Sequence, residues 1–160
     1  MASLVDTNIL VYRVDPRDAF KQDVAAQLLR EGLRRKQLYI AHQCVVEFVA
    51  AVARPQKELN GLPLLERGEA LLEAESLLAQ FPVLYPGRDA LLTAIRGTAT
   101  YGLSWFDANL WACAEVNGMA EILSEDFQHG RHYGSVRVVN PFLAARGGVA
   151  ELPPLYPAAQ

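Results

Sequence analysis

Four acidic residues in this 160-residue chain stand where acids are unusual. Asp6 follows the apolar run Leu4-Val5 and is itself followed by Thr7-Asn8. Glu47 lies among Cys44, Val45, Val46, Phe48, Val49 and Ala50, Asp107 directly follows Ser104-Trp105-Phe106, and Asp126 follows Ile122-Leu123-Ser124-Glu125. A carboxylate amid that much apolar sequence is costly to bury unless it is paired or bound to a cation. The four are spaced by 41, 60 and 19 residues, so only a fold could bring them together. At roughly 4 Å, two carboxylates repel by ~1 kcal/mol in water and by ~4 kcal/mol at a protein-like effective dielectric. A hard divalent ion relieves that repulsion: Mg²⁺ or Mn²⁺ takes oxygen ligands, keeps several waters and needs only one or two carboxylates. Such an ion can generate hydroxide, steady a leaving oxygen and bridge to a phosphodiester.

Each acid also has a plain structural reading. Asp6 can cap the segment after it. Ser104-x-x-Asp107 fits a capping box at a helix N-terminus. Glu47 can be a rim residue on a helix edge, and Asp126 beside Glu125 a solvated turn. The constellation is more specific than its members, and it depends on the elements that carry them.

Those elements follow from hydrophobic spacing. A short strand ends at Asp6, and a helical or turn segment begins there. Apolar residues at Phe20, Val24, Ala25, Leu28, Leu29 and Leu33 predict a helix to Arg35. Leu38–Ala41 reads as a strand and Gln43 to Arg54 as a helix stopped by Pro55. A loop with Asn60-Gly61 as its turn leads to an amphipathic helix over Leu64 to Gln80, with Glu66, Glu69, Glu73 and Glu75 on its wet side. Pro82–Tyr85 is extended, and helices are expected over Asp89 to Tyr101 and Ser104 to Asn117, each with a glycine past its end. Ile122–Ser124 and Val136–Val139 read as the last two strands.

Short apolar strands alternating with helices mean an α/β class with a mainly parallel sheet. In such sheets ligands bind at the carboxyl ends of the strands. Asp6 and Asp126 both fall at or just past such an end, and Glu47 about one turn into the helix after one. The expected domain spans 1–143, and the Ala/Gly/Pro-rich stretch 144–160 reads as a loosely held tail.

Composition narrows the classes further. Hydrophobic residues make up 51% and charged residues 21%, an ordinary globular balance. No stretch is long and apolar enough for a membrane span, and no secretory signal precedes Asp6, so a cytoplasmic protein is expected. Cys44 and Cys113 share no metal-type spacing and read as small core residues. The net charge of −3 gives no overall attraction for nucleic acid, so any such role needs a local patch or bound cations. The basic cluster Arg30, Arg34, Arg35 and Lys36 reads better as a solvated helix end than as that patch. His129, Arg131 and His132 form an exposed loop that could touch phosphates. Trp105 and Trp111 read as core.

The run Leu4-Val5-Asp6-Thr7-Asn8-Ile9-Leu10-Val11-Tyr12 resembles the opening of PIN-domain ribonucleases, most of all the VapC-type toxins of toxin–antitoxin pairs. Glu47 in its helix, Leu103-Ser104-Trp105-Phe106-Asp107-Ala108, Ile122 to Gly130 and Val139-Asn140-Pro141-Phe142 extend that resemblance across residues 1–143. It implies a small three-layer α/β/α sandwich and an endoribonuclease dependent on one or two Mg²⁺ or Mn²⁺ ions. It implies catalytic roles for Asp6, Glu47, Asp107 and Asp126, with the three aspartates as metal ligands and Thr7 and Ser104 as supporting polar groups. It also implies a homodimer and a cognate antitoxin that blocks the site, with Leu62, Leu64, Leu65, Phe20 and Val24 as candidates for its groove. Ser124 stands where many such proteins have Thr, which keeps the hydroxyl. Two other readings compete. An aspartyl phosphatase would want Asp-x-Asp-x-Thr, but position 8 is Asn. A non-catalytic binding module would show a lost acid, and none is lost.

Overall fold

A computed structural model describes residues 1–146. Its six strands are β1 (Ser3–Val5), β2 (Leu38–Ala41), β3 (Val83–Leu84), β4 (Glu121–Leu123), β5 (His132–Tyr133) and β6 (Val136–Val139). The helices of the described residues are α1 (Thr7–Val14), α2 (Ala19–Arg35), α3 (His42–Ala53), α4 (Arg67–Gln80), α5 (Arg88–Tyr101), α6 (Trp105–Val116) and α7 (Pro141–Ala145). The sheet runs in the order β3-β2-β1-β4-β6-β5, and every pairing is parallel except β5 with β6.

The α/β class with a mainly parallel sheet is therefore as expected. The path from β1 through β2 to β3 advances one way along the sheet, and the return from β3 to β4 passes back across β1. Right-handed crossovers put α5 and α6 on the face opposite α1 to α4, which makes three layers. Strands covered on both faces must be apolar throughout. Leu4, Val5, Ile40, Ile122 and Val138 are accordingly all fully buried.

Register decides what stands at the carboxyl edge. Val5 lies opposite Ile40 on one side and Leu123 on the other. The next residue along, Asp6, donates its backbone N–H to the Leu123 carbonyl at 3.0 Å. Asp6 and Ser124 thus emerge side by side at the point where the chain leaves β1 in one direction and β4 in the other. That is the switch point where such sheets bind ligands.

Several boundaries differ from expectation. α4 begins at Arg67, not Leu64, because Glu66 and Glu69 close a capping box, with the Glu66 N–H donating to Glu69 Oε2 at 3.1 Å. Leu65 before it instead donates its N–H to the Val52 carbonyl, so apolar periodicity ran through the true helix start. Glu73, expected on the wet side, is half-buried and ion-paired with Arg13. β5 and α7 were not anticipated, being two and five residues long. Asn140 caps α7, with Oδ1 accepting from the Phe142 N–H at 3.0 Å, and Pro141 takes its first position. α7 also runs across the expected domain boundary at 143, and most of the expected tail, from residue 147, lies outside the described residues.

Trp111 is buried, but Trp105 is 47% exposed, which corrects its assignment to the core. As the first residue of α6 it stands at the helix entrance rather than on the buried stripe. Cys44 and Cys113 are buried free thiols; burial raises the pKa of both, Cys113 to about 11. Arg34 and Arg35 both pair with Glu31, which supports the solvated helix end. Phe20 packs beside Arg146, and Leu65 is tied to the end of α3.

Candidate active site

Asp6, Glu47, Asp107 and Asp126 all line one cleft of about 730 Å³. They reach it from three directions: Asp6 and Asp126 from the ends of β1 and β4, Glu47 from α3, and Asp107 from the first turn of α6.

Asp6 is the innermost, 6% exposed. It is the N-cap of α1, and its Oδ1 accepts from the Thr7 N–H at 2.6 Å. Its Oδ2 accepts from Ser124 Oγ at 2.6 Å and from Asn8 Nδ2 at 3.1 Å. Capping α1 thus leaves this carboxylate lining the cleft. Burial raises its pKa to about 7, against the hydrogen bonds from Ser124 and Thr7, and the nearby charges of Asp126 and Asp107 push it up further. Near-neutral titration by a carboxyl group, in a cleft, is what a functional site produces.

Asn8 ties the two strand ends together. Its Nδ2 donates to Asp6 Oδ2, to Ser124 Oγ at 3.1 Å and to Asp126 Oδ2 at 3.0 Å. The Asn8 Oδ1 is buried and has no hydrogen-bond partner among the described residues. Sequence reasoning treated Asn8 as a turn residue; its placement i+2 from Asp6 in the first turn of a helix was the available signal.

Glu47 is half-buried rather than immersed in apolar side chains, because the helix turns Cys44 and Phe48 inward and Glu47 toward the cleft. Its Oε2 accepts from Thr7 Oγ1 at 2.8 Å and its Oε1 from Gln43 Nε2 at 2.8 Å. Gln43 also donates to the Phe106 carbonyl at 3.1 Å and so fastens α3 to the start of α6. Asp107 stands more apart. Ser104 Oγ donates to its Oδ2 at 2.7 Å and accepts the Asp107 N–H at 3.2 Å. Ser104 thus caps α6, but the Asp107 carboxylate returns to the Ser104 hydroxyl rather than to its backbone N–H, so the expected capping box does not close, and Asp107 Oδ1 accepts no hydrogen bond among the described residues.

The adjacent acids Glu125 and Asp126 have separate fates. Glu125 turns inward, where Lys21 Nζ contacts its Oε2 at 2.6 Å and the Tyr12 hydroxyl donates to its other oxygen. Asp126 is exposed at the cleft. His129 has a structural task, its Nδ1 accepting the Asn140 N–H at 2.9 Å.

No Lys, Arg or His lies within ion-pair distance of the four cleft acids among the described residues. Nor do three acid, histidine or cysteine side chains converge there into a ready-made metal cage. The donor chemistry fits a hard divalent ion that takes one or two carboxylates and fills the rest of its shell with water. The orphaned Asn8 oxygen adds one more hard donor beside them.

The cleft has a second, differently charged end. Asp15 caps the end of α1 and accepts from Arg17 Nε at 2.9 Å and from its Nη2 at 2.7 Å. Arg54, at the end of α3, lines the same end and is exposed.

Comparison with solved structures finds the same architecture in proteins of low sequence identity. A toxin–antitoxin complex from Klebsiella pneumoniae superimposes with a TM-score of 0.60 at 19% identity, covering 88% of this chain and 98% of that one. VapBC2 from Rickettsia felis, bound to a DNA fragment from its promoter, gives 0.62 at 12%, covering 86% and 97%. The Mycobacterium tuberculosis toxin VapC20, which cleaves the sarcin–ricin loop, gives 0.56 at 14%, covering 76% and 87%. No curated protein sequence matches. The PIN domain family model matches residues 3–134, from the first residue of β1 to just past β5, and the chain belongs to that family.

Proposed function

We propose that this protein is a divalent-metal-dependent endoribonuclease and the toxin of a toxin–antitoxin pair. The observation that carries the reading is four carboxylates on one cleft, with no basic partner among the described residues and one of them buried enough to titrate near pH 7. Family membership and the toxin neighbours support the same reading.

Asp6, Asp126 and Asp107 would hold one or two Mg²⁺ or Mn²⁺ ions together with water. When bound, such an ion lowers the pKa of its water and stabilises charge developing on a phosphodiester. Asn8 keeps the Asp6 and Asp126 carboxylates in register, and Ser104 orients Asp107. Glu47 is the base that takes the proton of the attacking water at a carboxylate oxygen. Thr7 and Gln43 each donate to one of its oxygens and so fix its orientation, as a positioned proton acceptor requires. An aspartyl phosphatase is disfavoured, because Asn8 stands where its second acid would be.

An antitoxin as partner, a homodimer and a cytoplasmic location follow from the toxin reading. No helix among the described residues is long and apolar enough to cross a membrane. The decisive experiment incubates the purified chain with total bacterial RNA and Mg²⁺ or Mn²⁺ and maps new 5′ ends. Ends that vanish with EDTA, in Asp6→Asn and in Asp107→Asn are expected. Undiminished cleavage in either mutant would sink the site assignment. Glu47→Gln should lose cleavage while retaining Mn²⁺ binding; loss of both would make Glu47 a ligand.

A further inference from the structure

We propose that the cleft takes a single-stranded RNA segment along a defined path, with one base against Phe106 and a flanking phosphate on Arg54, beside Arg17. This rests on the nuclease reading and adds the residues that hold the strand on either side of the acids.

The cleft is bipolar. Its carboxylates gather around the N-terminus of α1, while Arg54 and Arg17 stand past the C-termini of α3 and α1. Glu47 and Arg54 are seven residues apart and share the cleft-facing side of α3, which separates them by about 10 Å along the axis. Arg54 is thus too far away to touch a phosphate being cut at the acids, and well placed for a neighbouring one. Among the described residues no carboxylate lies within ion-pair distance of its guanidinium, so its charge is free for a ligand. Arg17 is held differently: its Nε and Nη2 donate to Asp15 and its Nη1 lies 3.5 Å from Glu58 Oε2, which aims the guanidinium and offsets its charge. It therefore serves as a fixed hydrogen-bond donor rather than as the main attraction.

Phe106 supplies the other contact. It lines the cleft, is 66% exposed and immediately precedes Asp107. Gln43 holds its backbone in place through the carbonyl. A large aromatic ring left in water beside a phosphodiester site is a stacking surface for a base, and only an unpaired base can reach it. The net charge of −3 makes such local contacts necessary, because the molecule as a whole does not attract RNA.

The test measures binding apart from cleavage. A fluorescein-labelled mixed-sequence 12-mer oligoribonucleotide is titrated with full-length Asp6→Asn protein in Mg²⁺, with fluorescence anisotropy as readout. Adding Phe106→Ala should weaken binding about tenfold or more, the size of one base stack. Adding Arg54→Ala should weaken it about fivefold and reduce the salt slope by roughly one, with Arg54→Lys restoring the slope. A duplex of the same sequence should bind more weakly and ignore Phe106→Ala. Both positions are exposed, and circular dichroism checks that each variant folds. No binding of the 12-mer at low salt, or unchanged affinity in both variants, overturns the proposal even if the RNA-mapping experiment succeeds. Binding that depends on Phe106 and Arg54, without metal-dependent cleavage by the wild type, keeps this proposal and removes the nuclease.

Discussion

The α5–α6 side of the sheet and its carboxyl edge solve opposite problems. On one face α5 and α6 close tightly: Ala90, Ala94 and Gly97 form the buried stripe of α5, and Trp111 of α6 lies against them. A Cβ added to Gly97 would sit 2.3 Å from the Trp111 ring, so the helices meet at the closest distance their residues allow. Trp111 packs edge-on to Tyr101, and its Nε1 donates to the Tyr133 carbonyl at 2.8 Å in a buried setting. Its one polar group is satisfied. At the carboxyl edge of the sheet, α1, α3 and the first turn of α6 border a cleft with an orphaned asparagine oxygen and a carboxyl group whose pKa burial raises to about 7. The first region is built for stability; the second keeps unmet polar demand that a ligand can fill.

The sharpest way to break that contrast is to remove the innermost acid. Asp6→Asn should lower cleavage by roughly a thousandfold, about 4 kcal/mol of transition-state stabilisation. An RNA-cleavage time course in Mn²⁺ measures it, and the far-UV spectrum should stay native.

The next effect is thermodynamic. A carboxyl group held at about 7 in the fold and at 3.8 when unfolded keeps its proton better in the native state. Stability from this group is full below pH 3.8 and is lost as pH rises toward and through 7, because the unfolded chain then binds fewer protons. At about 1.4 kcal/mol per pH unit the ceiling is roughly 4 kcal/mol. Urea unfolding in EDTA should show this decline between pH 4 and 7. Mg²⁺ should reduce it and Asp6→Asn flatten it; a flat profile for the wild type would contradict the burial argument.

Smaller changes test the closed face. Gly97→Ala should cost about 1–3 kcal/mol by overpacking against Trp111, while leaving the effect of Mg²⁺ on stability intact. A changed Mg²⁺ response would mean that the packing of α6 on α5 also sets Asp107 in the first turn of that helix. Lys21→Met should cost about 1 kcal/mol or less, since its pairing with Glu125 is partly solvated. Any larger effect should appear in cleavage rather than in melting, through the neighbouring Asp126.

Some of this was readable along the chain. Strand positions such as Leu38–Ala41 were legible because strands buried on both faces must be apolar, and the ends of α5 and α6 because glycine follows each. Asp6 and Asp126 were legible because ionisable groups rarely sit beside buried strand ends without a task, and Glu47 because its sequence neighbours are apolar. The start of α4 was not, since apolar spacing continues through its capping box into Leu64 and Leu65. Trp105 was misassigned because composition treats both tryptophans alike, whereas one is at a helix entrance and the other on a packed stripe.

Residue types and spacing therefore determined the α/β class, the order of most elements and the four carboxylates. Local physics suffices for these, since periodicity, caps and apolar runs are properties of neighbouring residues. Only the tertiary structure decided how the acids differ: Asp6 buried and doubly held, Glu47 braced by Thr7 and Gln43, Asp107 tied to Ser104 alone, and Asp126 joined to Asp6 through Asn8. It also decided that Glu125 turns inward while Asp126 faces the cleft, and that Arg54 and Phe106 share that cleft with the acids. Such facts depend on strand register and on hydrogen bonds between residues as many as 118 positions apart, which pattern along the chain does not encode.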